Sequence, residues 1–408
     1  MKKLFTVIIL ISVIGIIAEA QTTDPRPRSP QPMSNKTAME YFRDEGIKIG
    51  INLGNTLDAV DNWTDPRNPT SIETAWGNPR AEQAYFHGVK AQGFDIMRIP
   101  VTWVGHIGPA PDYKIEETWL RRVAEVVNMA LNARLKAFIN VHHDGNHGTG
   151  GGWLFIDKAA RDSSITDKFE KVWKQIAEYF INYGDNLMFQ GFNEIHSGDW
   201  GAGNAAQYRI INDWNQRFTN VVRSTGGNNA KRYLLYYGYN THYTIATTNF
   251  SRFVLPADSA GEGRQIVGFH YYEPVPFVLQ VTSVNWGSAA EKRAIETAFS
   301  AMKQKFIDNN IPVIIGENGP FRYINYKGHT GYRAANAPVH QGNRLAYVEH
   351  FYTQARINGL VSFFWENGTL DNEYAVEGDG SLLNRVTGQP NLPENAEIIQ
   401  RMMNAAGK

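Results

Sequence analysis

Eight short apolar runs, separated by amphipathic helical patterns, leave this chain few folds to choose from. The runs span residues 47–53, 96–101, 136–141, 187–192, 233–237, 266–269, 312–315 and 360–365. Between them the clearest helical segments are 81–91, 117–135, 167–183, 206–223, 290–309 and 344–358, with a weaker one at 244–253. In 117–135, Val123, Val126, Val127, Ala130 and Leu131 recur at i, i+3, i+4, i+7 and i+8, which is one face of a helix. Strands that alternate with helices pair in parallel. Eight such units predict an α/β protein of the closed (β/α)8 TIM-barrel type, in a single catalytic domain. No glycine-rich fingerprint follows the first run, which argues against an open dinucleotide-binding sheet.

The rest of the chain frames that barrel. Lys2 and Lys3, an apolar stretch over 4–17 and then Ala18-Glu19-Ala20 predict a cleaved signal peptide over 1–20. The stretch is short for a membrane span, which takes about 20 apolar residues. A secreted or periplasmic bacterial protein is expected, with no membrane span after cleavage. The absence of cysteine rules out a lipid-anchored thiol after the signal. Residues 21–35 are rich in Pro, Ser and Thr and predict an extended linker, so the catalytic domain is expected over 36–408. Lys plus Arg equals Asp plus Glu at 40 each, with no basic stripe, so nucleic acid is an unsuitable partner. A monomer acting on an uncharged polymer fits this balance. The 10 Trp, 19 Tyr and 21 Phe serve a large core, or platforms on which sugar rings stack.

In this kind of barrel, reactive groups gather at the C-terminal ends of the strands. The first run ends in Gly54-Asn55, and the second carries Arg98. The third ends in His142-His143-Asp144, the fourth in Asn193-Glu194, and the fifth in Tyr237, Tyr239 and Asn240. The last three end in His270-Tyr271-Tyr272, Glu317-Asn318 and Trp365-Glu366-Asn367. Any one of these has a bland reading as a rim ion pair. Ionisable groups at so many buried strand ends are costly without a shared purpose. Glu194 and Glu317 can face each other across the mouth. Hydrolysis of a glycosidic bond needs such a pair, one carboxyl to protonate the leaving oxygen and one to attack the anomeric carbon. Arg98, His142 and Tyr272 are candidates to keep one carboxylate ionised while the other stays protonated.

The ordered segments INLGNTLDA (51–59), ETAWGNP (73–79), GFDIMRIPVTW (93–103), INVHHDG (139–145), FNEI (192–195), HYY (270–272), IGENG (315–319) and FFWENG (363–368) resemble glycoside hydrolase family 5. The first three are most similar to its endoglucanase and xyloglucanase subgroup. The resemblance implies Glu194 as acid/base and Glu317 as nucleophile, with Arg98 supporting the nucleophile. It implies Asn193 at the 2-hydroxyl of the reacting sugar and His142 and His143 lining the adjoining subsite. His270 and Tyr272 would orient the carboxylates, and Trp365, with Asn55 nearby, would stack beneath a sugar. Ile195 and Asn318 stand where many members have Pro and Phe, and both are expected to reshape the cleft walls.

The implied substrate is a plant polysaccharide, a β-1,4-linked glucan or xyloglucan cut internally with retention of configuration. No cofactor and no catalytic metal are expected. Mannanase, xylanase and exo-acting β-glycosidase readings stay open on the same barrel, as does a non-catalytic sugar-binding barrel. His142, His143, Asp144 and His147 offer metal-ligand chemistry, but adjacent strand residues are expected to point apart, and no HExxH motif accompanies them. The glycine-rich stretch 145–152 lacks the Lys-Ser/Thr of a phosphate loop and predicts a cleft loop leading to Trp153. Trp63, Trp76, Trp103, Trp153, Trp200, Trp286 and Trp365 leave strand ends or lie in loops. Of these, Trp365 and Trp153 are expected at the cleft, and Trp76 and Trp103 in the core. With no binding module beside the barrel, crystalline cellulose is not the expected target.

Overall fold

All eight apolar runs become strands, because their residues are buried on both faces, as parallel strands covered by helices must be. The computed structural model describes residues 24–61, 70–145, 152–261, 263–322, 336–368 and 379–408. The strands are β1 (Ile49–Asn52), β2 (Ile96–Ile99), β3 (Lys136–Asn140), β4 (Leu187–Gln190), β5 (Leu234–His242), β6 (Gln265–Tyr271), β7 (Val313–Asn318) and β8 (Val361–Phe364). They pair in parallel, each with its sequence neighbours, and β8 closes on β1. The chain is therefore a closed (β/α)8 barrel. Outside it, Val60–Asp61 and Thr70–Ser71 form a short antiparallel pair.

Register is regular at the N-terminal side of the barrel and slips at the other end. Phe269 pairs with Ile315 but His270 with Glu317; Tyr237 pairs with Gly268 but His242 with His270. A further shift separates Ser362 from Phe364 on β8. Such bulges re-aim side chains, and here they lie where the ionisable residues collect.

Helices Gln83–Ala91, Glu117–Asn132, Ser163–Tyr179, Ala205–Ser224, Ala289–Lys305 and Ala337–Ile357 cover the barrel. Local chemistry fixes their starts. Asp162 caps one through Ser164 N, and Asn204 with Gln207 and Ser288 with Glu291 form capping boxes. The weak segment at 244–253 gives only a 3-10 turn, Tyr243–Ala246. Thr244, Thr247, Thr248 and Asn249 are poor helix formers, and Asn249 Nδ2 donates instead to Thr244 Oγ1 (2.8 Å) and Ala202 O (2.8 Å). Two further helices, Ala38–Asp44 and Pro393–Ala406, lie outside the repeat. The second docks on Ala337–Ile357, where Arg356 Nε donates to Ala405 O (2.8 Å).

Residues 24–35 carry neither helix nor strand and run along the barrel end opposite the bulges. Gln31 N donates to Asn182 O (2.8 Å), Ser34 N to Asp185 Oδ2 (2.6 Å) and Asn128 Nδ2 to Pro25 O (2.6 Å). The expected signal peptide, Trp63, His147 and most of the glycine-rich loop lie outside the described residues.

Candidate active site

An arginine buried in a barrel interior needs an acceptor for each of its donors. Arg98, on β2, finds acceptors on three other strands or their ends. Nε donates to Gln190 Oε1 (2.7 Å), Nη1 to Asn52 Oδ1 (3.0 Å) and Glu317 Oε1 (2.7 Å), and Nη2 to Asn193 Oδ1 (2.6 Å). Tyr272 donates its hydroxyl to the other Glu317 oxygen (2.9 Å). Glu317 thus meets a cation and a hydroxyl donor, which is the company an anionic nucleophile needs.

Glu194 has a different setting. Its Oε1 lies 2.6 Å from His270 Nδ1, and its side chain is 22% exposed against 7% for Glu317. Burial raises the Glu194 carboxyl above the ordinary glutamate range, with Arg98 opposing. Burial also holds His270 down at about 3, so the imidazole is neutral at any working pH. Glu194 Oε1 and His270 Nδ1 share one hydrogen bond, whose donor is set by the histidine tautomer. One oxygen of Glu194, one of Glu317 and a His270 nitrogen all lie within 4.8 Å of one another. That closeness suits a double displacement, whose carboxyls stand about 5–5.5 Å apart, better than an inverting site, whose carboxyls stand roughly 6.5–9.5 Å apart.

The remaining predicted residues surround this pair. His142 stacks on Trp365 with centroids 5.7 Å apart and planes 4° from parallel. Its Nε2 faces Asn193 Nδ2 at 3.4 Å. Because Asn193 Oδ1 accepts from Arg98, its amide nitrogen is the side that faces the imidazole. Trp365 is only 8% exposed and forms a packed wall. Gly54 makes this possible, since a Cβ there would lie 2.9 Å from the indole Cζ2. Asn55, with φ +55°, starts the turn in which Asp58 accepts from the N–H groups of Asn55 (3.1 Å) and Thr56 (2.8 Å).

Several expectations need correcting. His142 and His143 do not point apart: β3 ends at Asn140, a 3-10 turn begins at His143, and their rings meet at 4.3 Å. Their nitrogens and an Asp58 oxygen form a second cluster of potential ion ligands. Asp58, raised to about 6 by burial, already accepts from backbone N–H groups, and His143 Nδ1 lies 2.9 Å from Asp58 O. Ile195 and Asn318 are not cleft walls. Ile195 is buried against Gly145. Asn318 follows Glu317 on a strand and so points outward, where it donates to Ser362 Oγ (2.8 Å) and Phe363 O (2.7 Å) and accepts from Tyr352 (3.1 Å).

The tryptophans sort by partner. Trp103 and Trp286 are core residues. Trp76, expected in the core, is half-buried beside His143 (5.4 Å). Trp153 has its indole N–H tied to Asp144 Oδ1 (2.7 Å) and Lys168 over its ring at 4.5 Å, so it anchors the base of its loop. Trp200 is 67% exposed and leans on His196 at 4.5 Å. Tyr239 steadies the loop between them, accepting from Ser197 N (2.9 Å) and Gln207 Nε2 (2.9 Å). Gln190 and Asn52 were missed by motif reading. The available signal was a polar residue at the inward position of an otherwise apolar run.

Comparison with known proteins places this geometry in a family context. The family model described as cellulase, glycosyl hydrolase family 5, matches residues 57–371. The cellulase/esterase CelE of Acetivibrio thermocellus is 35% identical over the whole chain, which spans 47% of that protein's length. The xyloglucan-specific endo-β-1,4-glucanase BoGH5A of Bacteroides ovatus is 34% identical, with 88% of this chain and 69% of that one covered. Among solved structures, a broad-specificity endoglucanase from Bacteroides salanitronis superposes with a TM-score of 0.79 at 36% identity, over 93% of this chain and 97% of that one.

Proposed function

This chain belongs to glycosyl hydrolase family 5, and from that premise we propose that it cuts β-1,4-linked glucan internally, with xyloglucan or mixed-linkage glucan as the favoured polymers. Glu317 attacks the anomeric carbon while Glu194 protonates the departing oxygen. Glu194 then draws a proton from water, whose oxygen attacks the anomeric carbon and breaks its bond to Glu317, freeing the sugar with retained configuration and restoring both carboxyls. The observation that carries this reading is the pair itself: two carboxyls in close reach, one held by Arg98 and Tyr272, the other raised by burial beside a neutral imidazole. Aromatic rings support a long substrate. Trp76, His143, His142 and Trp365 form one run of adjoining rings, and Trp200 beside His196 adds an exposed indole. A polymeric substrate also requires export, which residues 1–20 would direct. No described helix is long and apolar enough to cross a membrane.

The test is a panel of β-glucans, xyloglucan, xylan and mannan, with viscosity and reducing ends followed together. Early viscosity loss on a glucan or xyloglucan supports the proposal. Monosaccharide alone from the first minutes contradicts the internal mode, and action on mannan or xylan alone contradicts the backbone assignment.

A further inference from the structure

Asn52 is fully buried near the end of β1 and belongs to none of the motifs' expected roles. Its Nδ2 donates to Gly316 O (2.9 Å) and to Phe364 O (3.0 Å), and its Oδ1 accepts from Arg98 Nη1 (3.0 Å). Those carbonyls belong to the residues directly before Glu317 and Trp365. They also lie where the ladder slips, between Phe269 and His270 opposite β7, and between Ser362 and Phe364 on β8. A bulge interrupts the regular exchange of backbone bonds, and a buried carbonyl without a partner is costly. Phe364 O also accepts from Glu366 N (3.1 Å), so the one amide serves the carbonyl at each irregularity and also fixes the guanidinium that holds the nucleophile.

We propose that Asn52 is a positioning residue for the glycosylation step, setting the Glu317 carboxylate, through Gly316 and Arg98, against the Trp365 wall through Phe364. This rests on Glu317 being the nucleophile. The side chain contacts neither Glu317 nor Trp365 directly; it acts on the backbone that carries each. A displacement of about 1 Å at a reacting group is enough to lower the rate roughly 100-fold.

The test uses Asn52→Ala and Asn52→Asp. The second keeps the size and an acceptor for Arg98 but has no N–H for either carbonyl. A 2-fluoro glycoside reports the step, with its binding constant and its inactivation rate constant resolved separately. Both variants should lose at least about 10-fold in the rate constant, per folded molecule, with a smaller change in binding. If Asn52→Ala fails to fold, the isosteric Asp variant carries the test. Folded variants that inactivate at the parental rate overturn the proposal, as does a lowered melting temperature with unchanged rate constant, which is the mark of a purely structural role. Failure of the underlying reading looks different, because the parent itself would then not be labelled at Glu317.

Discussion

The chain contains Glu-Asn-Gly twice, at 317–319 where β7 ends and at 366–368 after β8, and the two glutamates have opposite fates. Both are paired with a buried arginine, Glu317 with Arg98 and Glu366 with Arg385, each at 2.7 Å. Glu366 is sealed. It is 0% exposed, and it also accepts from Tyr85 (3.2 Å), Gly368 N (3.2 Å) and Leu382 N (3.3 Å). Arg385 in turn donates to Gly54 O (2.7 Å) and Thr56 Oγ1 (3.1 Å), so this pair ties the turn after β1 to the chain after β8. Glu317 keeps an edge open to the mouth and faces a second carboxyl across it. An ion pair saturated with donors holds the fold together, whereas a pair with an open side and a second carboxyl facing it is placed for chemistry.

Substitutions can break or sharpen that contrast. The largest effect is expected at Glu317: Glu317→Gln should lower kcat by more than about 10,000-fold, while costing the fold no more than about 1 kcal/mol. Steady-state rates and denaturant unfolding measured on the same sample check both halves. Glu194→Ala should lose about 100- to 10,000-fold on polymer and much less on aryl glycosides with good leaving groups, where added azide restores turnover as the β-glycosyl azide. Because burial raises Glu194, the alkaline fall of kcat/KM should lie above the ordinary glutamate range, near 4.3. The acid is active when protonated, so activity is lost as pH rises through that value, and the limb should vanish in Glu194→Ala on activated substrates. Glu366→Gln inverts the pattern: about 3–5 kcal/mol of stability lost, with kcat per folded molecule within a few-fold of the parent. Equal activity losses at 317 and 366 would erase the distinction. The smallest effect is expected for Trp200→Ala, a several-fold rise in KM on polymer with no change on short aryl glycosides, read from parallel saturation curves.

The barrel was legible because buried parallel strands are apolar on both faces and stand out as runs, and because their helices show a clean apolar stripe. The fifth helix was not, since Asn249 in its Thr- and Asn-rich segment bonds to the Thr244 hydroxyl and to Ala202 O instead of supporting a helix. Glu194 and Glu317 were legible from strand position together with motif order. Their separation from Glu366 was not, because Tyr85, Leu382 and Arg385, which seal Glu366, lie far from it in sequence or in another element. Ile195 and Asn318 were misread for separate reasons: Asn318 follows Glu317 on a strand and faces the other way, and Ile195, beyond the end of β4, is buried against Gly145. Asn52 and Gln190 show what motif reading passes over, namely buried amides that accept from Arg98 while donating to backbone carbonyls around it.

The central claim is that Glu317, and not its sequence twin Glu366, forms the bond to sugar. Incubating the enzyme with a 2-fluoro glycoside and mapping the labelled peptide by mass spectrometry tests this directly. One adduct per chain, on Glu317 within Ile315–Gly319, is the predicted result. An adduct on Glu366 or Glu194, or turnover with no covalent species at all, would contradict it.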